Sequence, residues 1–335
     1  MTQLINTPNL SVQDEQALLD LYTRGTPENT LRAYERDLIY IEAWKGSALD
    51  WPESEAVALR FILDHSRDLE AQDAARAVAE GLMAKGLRKS LNCPAPSTLD
   101  RRIASWRAFH RMRNLPSPFE SPLLRQARAK ARRAAAKPPA PKSANPITLE
   151  VLEALLKACP PSKRGTRDRA ILLLGWASGG RRRSEITGLH VEDITVEDDI
   201  VWIRLLETKT TAKGKTPRLL LKGRAAQALK DWLAVSPAKT GPLFRPISKS
   251  GTILNRPLHP DAIRQILKRL LVNAGFKGGF ASPHGLRAGF LTEAALQGTP
   301  IQAAMRLSLH RSVAQAQKYY DDIELQDNPA TDLLG

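Results

Sequence analysis

From residue 10 to about 133, apolar positions recur at helical spacing and no segment alternates with period two, so this stretch is expected to be all helical. Leu31, Tyr34, Leu38, Ile41 and Trp44 fall on one face of a helix. Thr26 and Pro27 are expected to start it, a capping hydroxyl before a proline at the first helical position. A later helix, roughly residues 97–114, turns Leu99, Ile103, Trp106 and Phe109 inward. That leaves Arg101, Arg102, Arg107, Arg111 and Arg113 for other faces, an arginine surface suited to a polyanion.

The run Lys137, Pro138, Pro139, Ala140, Pro141, Lys142 ends the helical pattern and offers no backbone donors at its prolines. It reads as an extended linker. The expected organisation is a helical domain over 1–136, a linker over 137–146 and a second domain over 147–335. In the second domain, 148–158 and 166–178 read as helices, the latter largely buried. Residues 200–206 read as a strand, with 218–221 its hairpin partner across a lysine-rich turn, and helices resume afterwards.

Charge sharpens this division. The net charge of +15 over 335 residues points to a polyanionic partner. Residues 1–100 carry 10 basic against 16 acidic side chains, 101–142 carry 12 against 1, and 143–335 carry 28 against 18. A mildly acidic start thus leads into a basic helix and connector, as expected of a chain that crosses a phosphate backbone there. The two cysteines, Cys93 and Cys159, supply neither a disulfide framework nor a zinc site. The N-terminus lacks the basic flank and apolar core of a leader, and the longest apolar run, 171–177, is too short to span a bilayer. A cytoplasmic, nucleoid-associated protein is expected.

Four chemical signals follow in order in the second domain: Gly180-Arg181-Arg182-Arg183-Ser184-Glu185, the lysine-bearing hairpin, His284-Gly285-Leu286-Arg287, and His310 with Tyr319 nine residues later. Singly they are weak. His110 and Arg113 also make a His-x-x-Arg pattern, in a helix where only surface and DNA-backbone roles are expected of them. In this order, the four resemble the catalytic set of the tyrosine recombinase (phage integrase) family. The run Ser282-Pro283-His284-Gly285-Leu286-Arg287-Ala288-Gly289, the hairpin Thr208-Lys209-Thr210 and the helix from Thr98 to Pro116 are most similar to Cre-like enzymes. The resemblance implies Arg182 as the first arginine, Glu185 as the acidic residue of the first box, and His284 with Arg287 as the second box. It further implies His310 as the fourth member and Tyr319 as nucleophile. The chain departs from the family at Arg181, where Leu or Met is usual, and at Leu309, where glycine precedes the histidine.

The chemistry fits these residue types. Attack on a phosphodiester gathers charge on the non-bridging oxygens, which two guanidiniums clamp bidentately and a lysine cannot. Pro283 after Ser282 reads as a helix start, which would put His284 and Arg287 in a first turn whose free N–H groups favour phosphate. A phenol with an ordinary pKa of about 10 needs a base and a cationic pocket to attack near neutral pH. Tyr320 rivals Tyr319 for that role, and the family spacing favours Tyr319. The leaving 5' oxygen needs a proton from a hairpin lysine. Lys209 fits the Cre-like pattern and Lys213 the shorter Xer-type register, five residues before Arg218; the length of the loop favours Lys209. Lys213 and Lys215 are otherwise expected to contact phosphate.

The resemblance implies a mostly α protein with a small antiparallel sheet, two domains closing on duplex DNA as a C-shaped clamp. It implies a 3'-phosphotyrosyl intermediate, a Holliday junction, a site with inverted repeats and a homotetramer on synapsed DNA that is monomeric or weakly associated when free. Neither ATP, a metal nor any other cofactor is expected. The chain leaves no room for an arm-binding domain like that of large phage integrases, which favours a simple resolvase or Cre-type enzyme. Two alternatives remain: a type IB topoisomerase-like enzyme, and a DNA-binding protein with vestigial chemistry that reads DNA through the helix-turn-helix-like segment 301–319. The tail 321–335, with Ile323, Leu325, Leu333 and Leu334, is expected to dock on a neighbouring protomer or on its own domain.

Overall fold

In the computed structural model, residues 11–135, 143–205, 216–321 and 323 are described, and contacts divide the chain into two units, Met1–Ala140 and Pro141–Gly335. The first unit holds six helices: α1 Val12–Gly25, α2 Glu28–Lys45, α3 Glu55–Asp64, α4 Ala74–Ala84, α5 Pro96–Met112 and α6 Pro122–Ala134. Trp44, Phe61, Trp106 and Phe119 meet edge-to-face in succession, with ring centroids 5.0, 5.6 and 5.2 Å apart. This column anchors α2, α3 and α5 around one core with Ile41, Ile62 and Ile103, and each such side chain stabilises by about 1.5–3 kcal/mol on burial.

Three readings of this unit need correction. Thr26 closes α1 as its C-cap, and Pro27 is the uncapped N-cap of α2; α1 fills the residues before Thr26, so the hydroxyl ends one helix where it was expected to begin another. Arg102 is buried, with its guanidinium 3.2 Å from the centre of the Tyr40 ring. It stands three residues after Leu99 and four before Trp106, which puts it on the same helix face as both. His110 is fully buried too: Nδ1 lies 3.0 Å from the Trp106 carbonyl, and Nε2 accepts from the Glu53 N–H at 3.5 Å.

The second unit holds α7 Leu149–Lys157, α8 Lys163–Ala177, α9 Arg183–Thr187, α10 Gly223–Val235, α11 Pro260–Asn273, α12 His284–Leu296, α13 Ile301–Ser308 and α14 Val313–Gln317. Strands β1 Ile194–Glu197, β2 Ile200–Arg204 and β3 Arg218–Lys222 form an antiparallel sheet in the order β1-β2-β3. Val201 pairs with Leu221 and Ile203 with Leu219, and all four face the core. The hairpin was legible in that alternation. β1 was not, because Thr195, Val196 and Glu197 are exposed and give no inward period.

α8 is the buried axis, with Ala170 to Leu174 all in the core. The chain reaches α7 by lying along the start of α12: the Ile147 N–H donates to the Gly285 carbonyl at 2.9 Å, and Trp176 Nε1 donates to the Ile147 carbonyl at 2.8 Å. Glu293 of α12 then accepts from the Leu149 N–H at 3.0 Å, which caps α7. Any Cβ at position 289 would stand 1.8 Å from the Ile147 carbonyl oxygen, so this approach requires Gly289. The proline-rich linker, the 206–215 segment with Lys209, Lys213 and Lys215, and the tail beyond Ile323 lie outside the described residues.

Candidate active site

The turn between α8 and α9, the start of α12, and the segment from the end of α13 to Tyr319 meet in one place. Gly180 makes this possible. Its φ is +72°, and a Cβ there would fall 2.1 Å from the Arg287 Cα, so only glycine lets the turn press against α12.

The three arginines after that turn point three ways. Arg181 is buried, Arg182 keeps its side chain 35% exposed, and Arg183 turns outward to pair with Asp261 on α11. Behind Arg182, the buried Glu185 carboxylate accepts from Arg182 Nη1 at 2.7 Å and from the Arg182 N–H at 3.2 Å. One carboxylate thus fixes both the start of α9 and the guanidinium that precedes it.

Arg287 is buried and spends its donors within the site: Nη1 on the Gly180 carbonyl at 3.2 Å, Nη2 on the Ser308 carbonyl at 2.5 Å, and Nε on His310 Nε2 at 3.2 Å. Burial and the nearby Arg182 lower its pKa from the usual value. His310 also lies 2.8 Å from Ser308 Oγ through Nδ1. Burial first, and then the charges of Arg287, Arg182 and Arg181, push its pKa down to about 4, so the ring is neutral at physiological pH.

His284 Nε2 stands 3.2 Å from Tyr319 Oη, a contact between residues 35 positions apart. Burial raises the Tyr319 phenol while Arg287 works the other way. Tyr320 belongs elsewhere: its ring is buried with Leu291, Ala294 and Ala304, and its hydroxyl donates to the Thr299 carbonyl at 3.1 Å. The helix start before His284 differs from expectation in one respect. The His284 N–H already donates to Ser282 Oγ at 3.3 Å, the Gly285 N–H to the Ser282 carbonyl at 2.7 Å and the Leu286 N–H to the Pro283 carbonyl at 3.4 Å. The turn therefore positions side chains and has little open backbone to offer a phosphate.

Six of the sequence-derived residues, Arg182, Glu185, His284, Arg287, His310 and Tyr319, thus gather here. Lys209 lies outside the described residues. In the first unit, Arg101 binds the buried Asp37, Arg107 reaches Glu120 at 3.4 Å, Arg113 stacks on Trp51 at 3.9 Å, and Arg111 is exposed. What sequence reasoning missed is Ser308, which carries no motif, and the burial of Arg181, which a run of three arginines gives no means to foresee. Among the described residues, no group of three or more His, Cys, Asp or Glu side chains is placed to hold a metal ion, and no helix is long and apolar enough to cross a membrane.

The Phage integrase family model matches residues 145–325. A tyrosine recombinase of Synechococcus elongatus is 30% identical over 325 residues, covering 92% of this chain and 90% of its own. An integrase/recombinase described as a xerD homolog, from Selenomonas ruminantium, is 27% identical over 327 residues, covering 94% and 87%. Among solved structures, the Tn1549 transposon integrase in complex with circular intermediate DNA shares the fold, with a TM-score of 0.59 at 17% identity over 93% of this chain and 98% of that one. Xer-type names recur among the relatives, so the Cre-like likeness is a minor detail within the family. With its mostly helical fold, its three-stranded sheet and these relatives, the chain belongs to the phage integrase family and is a site-specific tyrosine recombinase.

Proposed function

We propose that Tyr319 is the nucleophile of this recombinase and that Arg182, Arg287, His310 and His284 prepare the phosphodiester it attacks. The observation that carries the reading is the 3.2 Å approach of His284 Nε2 to Tyr319 Oη, beside an arginine that already bridges to His310. His284 takes the phenolic proton as the bond from Oη to phosphorus forms, and the bond to the 5' oxygen breaks. Arg182 and Arg287 hold the non-bridging oxygens through guanidinium N–H groups not committed within the site, and neutral His310 turns an N–H to one of them when the phosphate displaces its contact with Arg287. Glu185 orients Arg182. The departing 5' oxygen receives its proton from Lys209 in the 206–215 segment, with Lys213 the alternative. The product is a 3'-phosphotyrosyl ester and a free 5' hydroxyl, and attack by the partner strand's hydroxyl reverses the step through a Holliday junction.

In the same reading, residues 1–136 are the core-binding domain and 147–335 the catalytic domain, joined by the 137–146 linker. Arg101, Arg107, Arg111 and Arg113 contribute to the DNA-facing charge of the first, and Lys213 and Lys215 to that of the second. Arg102 is left out because its guanidinium is buried against Tyr40. Four protomers act on two synapsed sites with inverted repeats, each tail beyond Tyr319 docking on a neighbour.

A nicked suicide substrate tests the chemistry. Tyr319→Phe is expected to abolish covalent attachment at undiminished site binding, whereas Tyr320→Phe keeps it. Attachment that survives in Tyr319→Phe and disappears in Tyr320→Phe would overturn the assignment. The same substrate with a bridging 5' phosphorothiolate should rescue Lys209→Ala; rescue of Lys213→Ala alone assigns the proton to Lys213.

A further inference from the structure

Arg181 is a charged side chain buried where no part of the proposed chemistry uses it. Only 1% of its side chain is exposed. Its Nη2 donates to the Leu307 carbonyl at 2.7 Å, and its Nη1 lies 3.5 Å from Glu185 Oε2. Among the described residues its Nε has no hydrogen-bond partner. Burial lowers its pKa to about 10, only partly offset by Glu185, so it stays charged at neutral pH.

An arginine so enclosed costs stability unless the geometry around it is worth holding. Its two partners are informative. Glu185 is the carboxylate that orients Arg182. Leu307 stands at the end of α13, one residue before Ser308, whose carbonyl accepts from Arg287 and whose hydroxyl contacts His310. The turn that follows is strained: Leu309 has φ +53° and ψ +38°, a left-handed conformation that a leucine adopts only when its surroundings impose it.

We propose that Arg181 is a positioning residue of the cleavage site, a buried clasp that ties the carboxylate behind Arg182 to the end of α13 and so holds the strained turn presenting His310. It touches neither the nucleophile nor the scissile phosphate and acts through Glu185 and the Leu307 carbonyl. It also adds to the positive field on His310, which Arg287 and His284 face from α12 and Arg182 from the turn before α9, with Ser308 on its own turn and the Tyr319 ring 6.4 Å away. The proposal rests on the assignment of His310 and Arg182 to the cleavage site.

The test uses the full chain and two variants. Arg181→Met keeps roughly the volume and removes the charge, while the Glu185 carboxylate keeps its two bonds to Arg182. It is expected to bind a duplex site as the parent does, to cleave the suicide substrate about 10- to 100-fold more slowly, and to raise the His310 pKa in an NMR titration of the histidine rings. Arg181→Lys, which keeps the charge but reaches only one of the two partners, should cleave at an intermediate rate with His310 titrating closer to the parent. Parental cleavage and an unmoved His310 in Arg181→Met overturn the proposal. So does a loss of cleavage that merely follows a loss of folded protein and is equal in both variants. If Arg181→Met does not fold, Arg181→Lys decides: slowed cleavage at parental DNA affinity supports the clasp, and a parental rate refutes it. Tyr319→Phe run alongside keeps the two ideas apart, since its inactivity upholds the nucleophile whatever Arg181 does.

Discussion

The chain writes the same four-residue pattern twice, His110 to Arg113 on α5 and His284 to Arg287 on α12, and the two copies have opposite lives. On α5, His110 turns Nδ1 back to the carbonyl one turn earlier and uses Nε2 to receive the Glu53 N–H, while Arg113 sits over the Trp51 ring. On α12, His284 reaches a tyrosine 35 residues away, and Arg287 holds carbonyls 107 and 21 residues away. The first pair fastens α5 to the segment at residues 51–53, through an indole ring and a backbone N–H. The second joins three segments that only the fold brings together, and long-range convergence of titratable groups marks a chemical site better than the pattern does.

Breaking each copy in turn tests this contrast. The largest effect is expected from the arginines. Arg287→Lys removes a planar fork with three separate acceptors and should cost cleavage about 10³-fold or more, by analogy with the loss of transition-state donors. Arg113→Lys loses one stacking contact worth about 0.5–1 kcal/mol and should leave single-turnover cleavage near the parental rate. Comparable losses in the two variants would mean that the α5 copy also works in the chemistry.

The histidines should divide by the type of damage. His284→Ala is expected to slow covalent attachment by about 10²- to 10⁴-fold with an unchanged urea midpoint. His110→Ala should leave the Glu53 N–H unpaired and cost about 1–3 kcal/mol of stability, while the folded fraction cleaves normally. An His284→Ala variant that loses stability and cleavage in proportion would reduce His284 to a structural role.

Acid gives the smallest and most graded effect. Burial lowers the His65 pKa to about 3 and also lowers that of His110, both in the first unit; His310, at about 4, is the corresponding ring in the second. For a histidine kept neutral by folding, the unfolded chain binds the proton first. Its stabilisation is therefore complete above the unfolded pKa near 6.5 and drains away as pH falls toward the folded value, by up to about 1.4 kcal/mol per pH unit for each ring. Hydrogen exchange between pH 7 and pH 5 should show the first unit losing protection more steeply than the second. Equal slopes would show that other groups set the acid response.

The sequence spoke clearly where one local rule governs. Helical spacing on α2 and α5 and the alternation of β2 and β3 were readable because each buried face is decided by its own neighbours. The order Arg182, His284, Arg287, His310, Tyr319 was readable because residue type and order survive without coordinates. Burial of charge was not. Arg102 and Arg181 lie inside although arginine is among the residues least often buried, and the partners that hold them there, the ring of Tyr40 for the first and the Glu185 carboxylate with the Leu307 carbonyl for the second, are brought up by the fold. Tyr319 and Tyr320 could be ranked by spacing alone until the Thr299 carbonyl claimed the second hydroxyl.

The two glycines that let the site close have a consequence for how this enzyme can vary. A Cβ at 180 would overlap the backbone of Arg287, and one at 289 would overlap the carbonyl of Ile147, so neither neighbour is a flexible side chain that can swing aside. Every single-residue change at either position adds at least that carbon. A mutational scan should therefore find two of its emptiest rows at residues with no side chain, while Lys318, Arg311 and other exposed neighbours accept many replacements.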